Sequence, residues 1–417
     1  MDLVIVNCGQ LVTLTGPQRP RIGAEMRELG IIKDAALWTR DGRIVRAARW
    51  KEIERELGSD HAVIDAEERV VLPGFVDAHT HFVFGGSRAD EFERRALGES
   101  YQSIAASGGG ILSTVRQTRA ASEEELADSA LRRIAMAVRS GTTTAEVKSG
   151  YGLSTEAELK MLRVTRRLND EGPIRLIATF LGAHQFPEEF RSDRAGYVAL
   201  IINEMLPRVV SERLAEYADV FCEPHIFDLE TASQIMKAAL THGLRLRMHV
   251  DQLSRSGGAE LAASLHATTA DHLEHTDTAG IAALKDAGVQ PVLLPGSVYA
   301  LGSRQYPLAR EMIERGLPVI LATDMNPGSS PTPSIPMVIS LAVTQMRMSV
   351  AEAINATTIN AAYSLGRGSE AGSLEAGKNA DVVIHDCYDY RDIGYLFGVE
   401  SAQQVYVKGR CIYARSR

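Results

Sequence analysis

Residues Val71 to Arg88 read VLPGFVDAHTHFVFGGSR, an apolar run that ends in two histidines. If the run is a strand, residues two apart point to the same side, so His79 and His81 present their imidazoles to one point. Two neutral imidazoles side by side suit a divalent metal. A lone His-x-His is also an ordinary pair of polar residues at a strand end. What lifts this one is its position after a buried strand, together with partners found much further along the chain.

The chain has 417 residues and is 45% hydrophobic, enough for a large core and too long for one ordinary domain. An α/β barrel of about 250 residues with a smaller module would fill it. The net charge of −8 with no long basic run argues against nucleic acid or an anionic membrane as partner. Cys8, Cys222, Cys387 and Cys411 are far apart and form no C-x-x-C, as expected of a reduced, cytoplasmic protein. The opening MDLVIVNCGQ lacks the basic start of a signal peptide, and no apolar run approaches the roughly 18 residues of a membrane span.

Both ends of the chain read as short strands. At the start these are Leu3–Val6, Leu11–Leu14, Ala36–Trp38, Ile44–Val45 after the Asp41-Gly42 turn, and Val63–Asp65, with a short helix over Lys51–Leu57. At the end they are Gly372–Leu374, Ala380–Ile384, Gln404–Val407 and Gly409–Tyr413. Neither end has enough strands to bury a core alone. Residues 1–70 and 366–417 are therefore expected to form one small β-sandwich module, with 71–365 as the barrel.

The middle offers eight strands: Phe75–His81, Thr142–Lys148, Ile174–His184, Val220–Phe227, Leu244–His249, Thr268–His272, Gln290–Leu294 and Pro318–Asp324. Between them Glu123–Ser140, Thr155–Asn169, Val198–Tyr217, Glu230–His242, Gly257–Leu265, Thr278–Ala287 and Leu308–Arg315 carry apolar residues at helical spacing. Eight such units predict a (β/α)8 barrel with its working groups at the C-terminal strand ends. A doubly wound sheet would want a Gly-rich phosphate turn after an early strand, and Ser107-Gly108-Gly109-Gly110 is a poor match; it reads as a flexible loop over the site or a plain turn.

Those strand ends are rich in ionisable residues: His79 and His81, Glu146 and Lys148, His184, Glu223 and His225, His249, Asp271 and His272, and Asp324. Burying so many polar groups is costly without a shared purpose. The chemistry they permit is metal-assisted hydrolysis, in which a metal lowers the pKa of bound water to about 7. His79, His81 and His249 would be nitrogen ligands and Asp324 an oxygen ligand, with a carboxylate moving the proton to a leaving nitrogen. For Asp324 the plainer alternative is an Asx turn with Asn326-Pro327-Gly328.

VLPGFVDAHTH, the later strand-end His and Asp, and the closing AGSLEAGKNADVVI together resemble the amidohydrolase superfamily across nearly the whole chain. FVFGGSRADEFERR, SGGGILSTVRQTR, EVKSGYGLSTEAELKMLR, FLGAH, GGAELAA, ADHLEHTD, VLLPG and ATDMNPGSSP narrow the resemblance to its imidazolonepropionase family. The resemblance implies hydrolysis of the ring amide of 4-imidazolone-5-propanoate to N-formimidoyl-L-glutamate in histidine degradation. It implies one Zn or Fe ion on His79, His81, His249 and Asp324, with Asp324 as proton shuttle and His272 beside the reacting carbonyl. Substrate contacts carry over to Arg88, Tyr151, His184 and the position of Gln252, and product contacts to Asn326 and Gly328 with Ser329 beside them. Some relatives have Glu where Gln252 stands, and Gln cannot act as a base. Strand 4 offers Cys222 and Glu223 rather than a bridging lysine, which favours a single metal. Lys148 on strand 2 reads as a structural cation or one that touches the ligands, with substrate contact as the lesser alternative, and His225 as structural. A homodimer is common among similar proteins.

The planar fork of Arg88 suits the propanoate carboxylate, although a surface ion pair with Asp90 or Glu91 is the plain alternative. Tyr151 would close on the ligand or else stand exposed on its loop. Three other readings compete: another cyclic amidohydrolase or deaminase on the same barrel, a barrel scaffold without catalysis, and a redox metalloenzyme. Arg88 disfavours a purine or pyrimidine, which has no side-chain carboxylate. The full ligand set disfavours the scaffold, and no flavin or nicotinamide motif accompanies the site.

Overall fold

Alternating apolar strands and amphipathic helices form, in the computed structural model, one parallel eight-stranded sheet wrapped in helices. The structure describes residues 2–58, 61–99, 103 and 108–416. The strands are β1 (Phe75–Asp77), β2 (Thr142–Lys148), β3 (Arg175–Ala183), β4 (Tyr217–Cys222), β5 (Arg245–Val250), β6 (Thr269–His272), β7 (Gln290–Leu293) and β8 (Ile320–Leu321). Each pairs in parallel with its neighbours in chain order. The ring closes beyond the regular strands. Thr80 bridges Met325, the His81 N–H donates to Met325 O at 2.9 Å, and the Asp324 N–H donates to His79 O at 3.0 Å. Asp77 pins the same seam by accepting from the Thr323 N–H at 3.0 Å and hydroxyl at 2.6 Å. This is the expected (β/α)8 barrel, and the backbone that closes it carries two of the histidines and Asp324.

The outer helices follow from local rules. Glu123–Arg139 starts at Ser122, whose hydroxyl accepts from the Glu125 N–H while the Glu125 carboxylate accepts from the Ser122 N–H. It buries Leu126, Ala130, Ile134 and Ala137, one stripe at helical spacing.

Several boundaries differ from those read in the sequence. The helix expected over Val198–Tyr217 is Arg194–Leu200, a π turn over Ile201–Met205, and Leu206–Ser211. Pro207 has no N–H for the ladder, and Arg213 at φ +52° ends it. Tyr217 opens β4, and the strand expected to run on to Phe227 stops at Cys222 because Pro224 sits in a turn; Phe227 rejoins Cys222 through one isolated bridge. Gly372–Leu374 is not a strand: Gly372 has φ +83°, and the Leu374 N–H makes a single bond to Thr13 O at 2.7 Å. Helices Ala89–Ala96, Ile111–Ala120 and Ile335–Met346 lie outside the segments expected to be helical. Ser107 lies outside the described residues; Gly110, at φ +76°, precedes the helix Ile111–Ala120.

Strands from the two ends make two further sheets. One has four strands from the first 65 residues. The other has six and joins Val382–His385, Ala402–Val407 and Arg410–Ala414 to Val70–Pro73, Gln10–Val12 and Ile31–Ile32. Ile5, Leu37, Val71, Val382, Ile384 and Tyr406 share one buried cluster, so residues from both termini fill a common core.

Glu352 ties the N-terminal segment to the barrel. It lies in the capping box of helix Val350–Ala356 and accepts from the Ser349 N–H at 2.7 Å, from Arg310 at 2.5 Å and from Arg27 at 3.0 Å. Burial works to raise its pKa, but Arg310, the Ser349 N–H and Arg27 outweigh it and hold the carboxyl down at about 2. A depressed folded pKa stabilises above the unfolded value near 4.5 and is lost as pH falls through the folded one. Glu352→Gln is expected to cost roughly 2 kcal/mol at pH 7. The gap in Tm from the parent should narrow as pH falls from about 4.5 toward 2. Melting curves across that range check it; an equal gap at every pH would show that the charge contributes nothing.

Candidate active site

The C-terminal end of the barrel gathers the strand-end residues into one buried cluster. His79 and His81 have ring centroids 5.5 Å apart, so both face one side even though β1 loses regular pairing after Asp77. His79 Nε2 lies 3.6 Å and His81 Nε2 3.7 Å from Asp324 Oδ1. The His249 ring is 4.4 Å from that of His79, and His272 is 5.2 Å from His249 and 5.7 Å from His79. Potential ligand atoms converge in two overlapping triads that share His79: His79, His81 and Asp324, and His79, His249 and His272. His272 thus stands among the expected ligands as well as in the place expected for a residue beside the carbonyl.

These residues fit a metal ion by their own chemistry. His79 Nε2 is buried and makes no hydrogen bond among the described residues, a cost a folded chain rarely accepts without a ligand. Burial drives His79 and His81 well below the ordinary histidine pKa, with Lys148 adding repulsion against His79, and burial takes His249 down to about 4. Neutral imidazoles are the form that binds metal. Burial lifts the Asp324 carboxyl to about 7. Burial opposes a charge on His272, but Glu274, 3.2 Å from its Nδ1, raises its pKa above the ordinary value.

Backbone strain concentrates here. Asp251, His272, Leu273 and Asp324 have φ of +51°, +82°, +68° and +53°. Non-glycine residues in that region cost about 1–3 kcal/mol each and persist where the surroundings over-determine them. Asp251 is held by the Ser256 N–H at 3.0 Å and the Thr276 hydroxyl at 2.7 Å.

The expected substrate contacts divide. His184 stacks on His81 at 5.3 Å and 16°, donates from Nδ1 to Gly150 O at 3.0 Å, and is pushed by burial to about 4. Tyr151 is buried, not exposed on its loop, with its ring 5.6 Å from His81 and 5.3 Å from His184. Asn326 makes the Asx turn: its Oδ1 accepts from the Gly328 and Ser329 N–H groups at 2.8 Å each, and its Nδ2 donates to Asp324 O at 2.6 Å. That turn belongs to Asn326 and leaves the Asp324 carboxylate facing the histidines. The Ser329 hydroxyl reaches Asp324 Oδ2 at 3.5 Å. Arg88 pairs with Glu91 at 2.8 Å, yet it is also packed on the Gly328 turn, where a Cβ would lie 2.3 Å from its Nη1. Gln252 is part-buried, with its Nε2 3.5 Å from the Ser297 hydroxyl. His225 sits exposed in the turn after Pro224.

Carboxylates and a cation support the cluster from below and beside; of these Asp219, Glu158 and the Gly110 contact of Glu91 have no counterpart among the expected site residues. Asp271 Oδ2 lies 2.6 Å from His79 Nδ1, and Asp219 Oδ2 lies 3.0 Å from His249 Nδ1. Lys148 Nζ lies 2.8 Å from both Glu146 and Asp219. Glu158 gathers the N–H groups of Gly150, Gly152 and Leu153 at 2.9, 2.7 and 2.8 Å and so sets the loop that carries Tyr151. Glu91 accepts from the Gly110 N–H at 2.8 Å while holding Arg88. Two-residue spacing could have found some of these, since Glu146 with Lys148 and Arg247 with His249 share inward faces. Glu158 and Glu91 lie on helices, and nothing local marks them.

The amidohydrolase family profile matches residues 70–412. Imidazolonepropionase from Solibacter usitatus is 58% identical over 415 residues, covering 100% of this chain and 99% of that protein. Imidazolonepropionase from Symbiobacterium thermophilum is 46% identical over 99% of this chain and 97% of its own. Among solved structures, guanine deaminase from E. coli superposes with a TM-score of 0.75 at 16% identity and full coverage of both chains. A Zn-bound adenosine deaminase from Xanthomonas campestris gives 0.73 at 18%, covering 99% of this chain and 93% of that one. At such identities the two deaminases share the fold alone.

Proposed function

The chain belongs to the amidohydrolase family and, within it, to the imidazolonepropionases; from that premise we propose that it opens the ring amide of 4-imidazolone-5-propanoate with water to give N-formimidoyl-L-glutamate, a step of histidine degradation. The observation that carries the reading is the buried convergence of His79, His81 and Asp324, with His249 and His272 beside them. In this reading His79, His81, His249 and Asp324 hold one Zn or Fe ion. Such an ion makes a coordinated water acidic enough to ionise near neutral pH and polarises a carbonyl oxygen.

The chain's own side chains do the rest. The Asp324 carboxylate takes the proton of the attacking water and delivers it to the ring nitrogen as the amide C–N bond breaks. The His272 imidazole, held by Glu274, donates to the carbonyl oxygen as negative charge gathers there. His184 and Tyr151 flank His81 and orient the ring of the substrate. Gln252 hydrogen-bonds that ring and moves no proton. Arg88 meets the propanoate carboxylate, and Asn326, Gly328 and Ser329 meet the product. A homodimer in the cytoplasm completes the reading; no helix among the described residues is long and apolar enough to cross a membrane.

Purified protein should turn over freshly made 4-imidazolone-5-propanoate, followed by ultraviolet absorbance with the uncatalysed decay subtracted. Chelation should abolish turnover, and Zn or Fe should restore it. Folded, metal-loaded protein without turnover would move the proposal to another cyclic substrate bearing a carboxylate. Arg88→Ala is expected to raise KM roughly 10- to 100-fold, the worth of a charge-assisted pair, with kcat little changed. An unchanged KM would mean that the propanoate is held elsewhere.

A further inference from the structure

We propose that Lys148 is a positioning residue that orients His79 and His249 and sets their tautomers through Asp271 and Asp219. The inference rests on the reading of these histidines as metal ligands. The Lys148 side chain is fully buried on the inner face of β2, two residues beyond Glu146. Its ammonium lies 2.8 Å from Asp219 Oδ2 on β4 and 3.7 Å from Asp271 Oδ2 on β6, and Glu146 holds it from its own strand at 2.8 Å. Arg247 closes the cluster 3.7 Å from Asp271 Oδ2.

The Asp219 oxygen that faces Lys148 is the same atom that lies 3.0 Å from His249 Nδ1. The Asp271 oxygen that faces Lys148 is likewise the atom 2.6 Å from His79 Nδ1. The ammonium lies against both oxygens, in an ion pair with Asp219 at 2.8 Å and 3.7 Å from Asp271, and Asp271 Oδ2 accepts from His79 Nδ1 because a carboxylate oxygen facing a ring nitrogen at 2.6 Å takes the hydrogen bond. His79 Nδ1 is then the donor and its Nε2 keeps its lone pair, while His249 turns its Nδ1 toward Asp219 Oδ2 at 3.0 Å. For His79 that Nε2 is the buried atom without a hydrogen bond among the described residues, 3.6 Å from Asp324. One ammonium thereby reaches two ligands, one just beyond β1 and one on β5, that the backbone alone does not couple. Partners of this kind fix ring orientation and ligand basicity.

The test compares the holoprotein with Lys148→Met and Lys148→Arg. Zn2+ affinity is read by competition with a chromophoric chelator, the Co2+-loaded protein by its visible spectrum, and the metal-free protein by Tm. Lys148→Met is expected to weaken Zn2+ about 10- to 100-fold and to shift the Co2+ spectrum. Its metal-free Tm should fall as well, because Glu146, Asp219 and Asp271 are left buried without their cation. Lys148→Arg should recover part of the affinity. In the background of Asp219→Asn with Asp271→Asn, Lys148→Met should add little, because its route to the histidines is already cut. If Lys148→Met does not fold, Lys148→Gln carries the same measurements. A lower Tm with unchanged Zn2+ affinity and Co2+ spectrum, or fully additive losses, would overturn the proposal and leave Lys148 a structural plug. Absence of Zn2+ binding by the parent protein would instead overturn the metal reading itself.

Discussion

Asp324→Asn is expected to keep the fold and lower kcat by roughly 10²- to 10⁴-fold, the range for losing a positioned acid–base group. The substitution is isosteric, and Asn tolerates a left-handed backbone, so the φ of +53° adds no new strain. The bonds from the Asp324 N–H to His79 O and from Asn326 Nδ2 to Asp324 O survive, because both use backbone atoms of residue 324. What disappears is a carboxylate able to accept a proton while facing His79 and His81. Turnover, metal content and Tm should be measured on one preparation. Near-normal kcat would remove Asp324 as the proton carrier. Lost metal together with lost turnover would assign it chiefly to holding the ion.

His249→Ala is expected to lose metal and activity together. Disturbing a partner that merely supports a ligand costs about 10- to 100-fold in metal affinity, and removing a ligand should exceed that. The fold should survive. The Asp219 oxygen left by the imidazole still faces Lys148 at 2.8 Å, so the buried carboxylate keeps its cation. Metal stoichiometry after dialysis, beside a thermal melt, checks both halves. Retained metal with full activity would take His249 out of the ligand set and leave His272, which shares a triad with His79, in its place.

Period and polarity made much of this molecule legible. The alternation of strand and helix named the barrel, and the spacing of His79 and His81 put two imidazoles on one side. The ionisable residues at successive strand ends pointed to one site because parallel strands in a barrel end at one mouth. Where local chemistry competes with periodicity the reading failed: Pro207 and Pro224 moved an expected helix and strand, and Gly372 broke another strand. Arg88 illustrates the limit within the site. Its pairing with Glu91 and its contact with Gly328 are both real, and sequence spacing suggested only the first.

The sequence by itself determined the fold class, the family resemblance and the residue types able to hold a metal, because these depend on local periodicity and on short motifs. Only the tertiary structure decided that His272 packs among the histidines, that Tyr151 is buried beside His81, and that Lys148 faces Asp219 and Asp271, which in turn face His249 and His79. Those pairings join residues as far apart as His79 and Asp271, 192 positions along the chain. Separation along the chain carries no distance in space until the barrel closes, and closure depends on the packing of all eight strands at once.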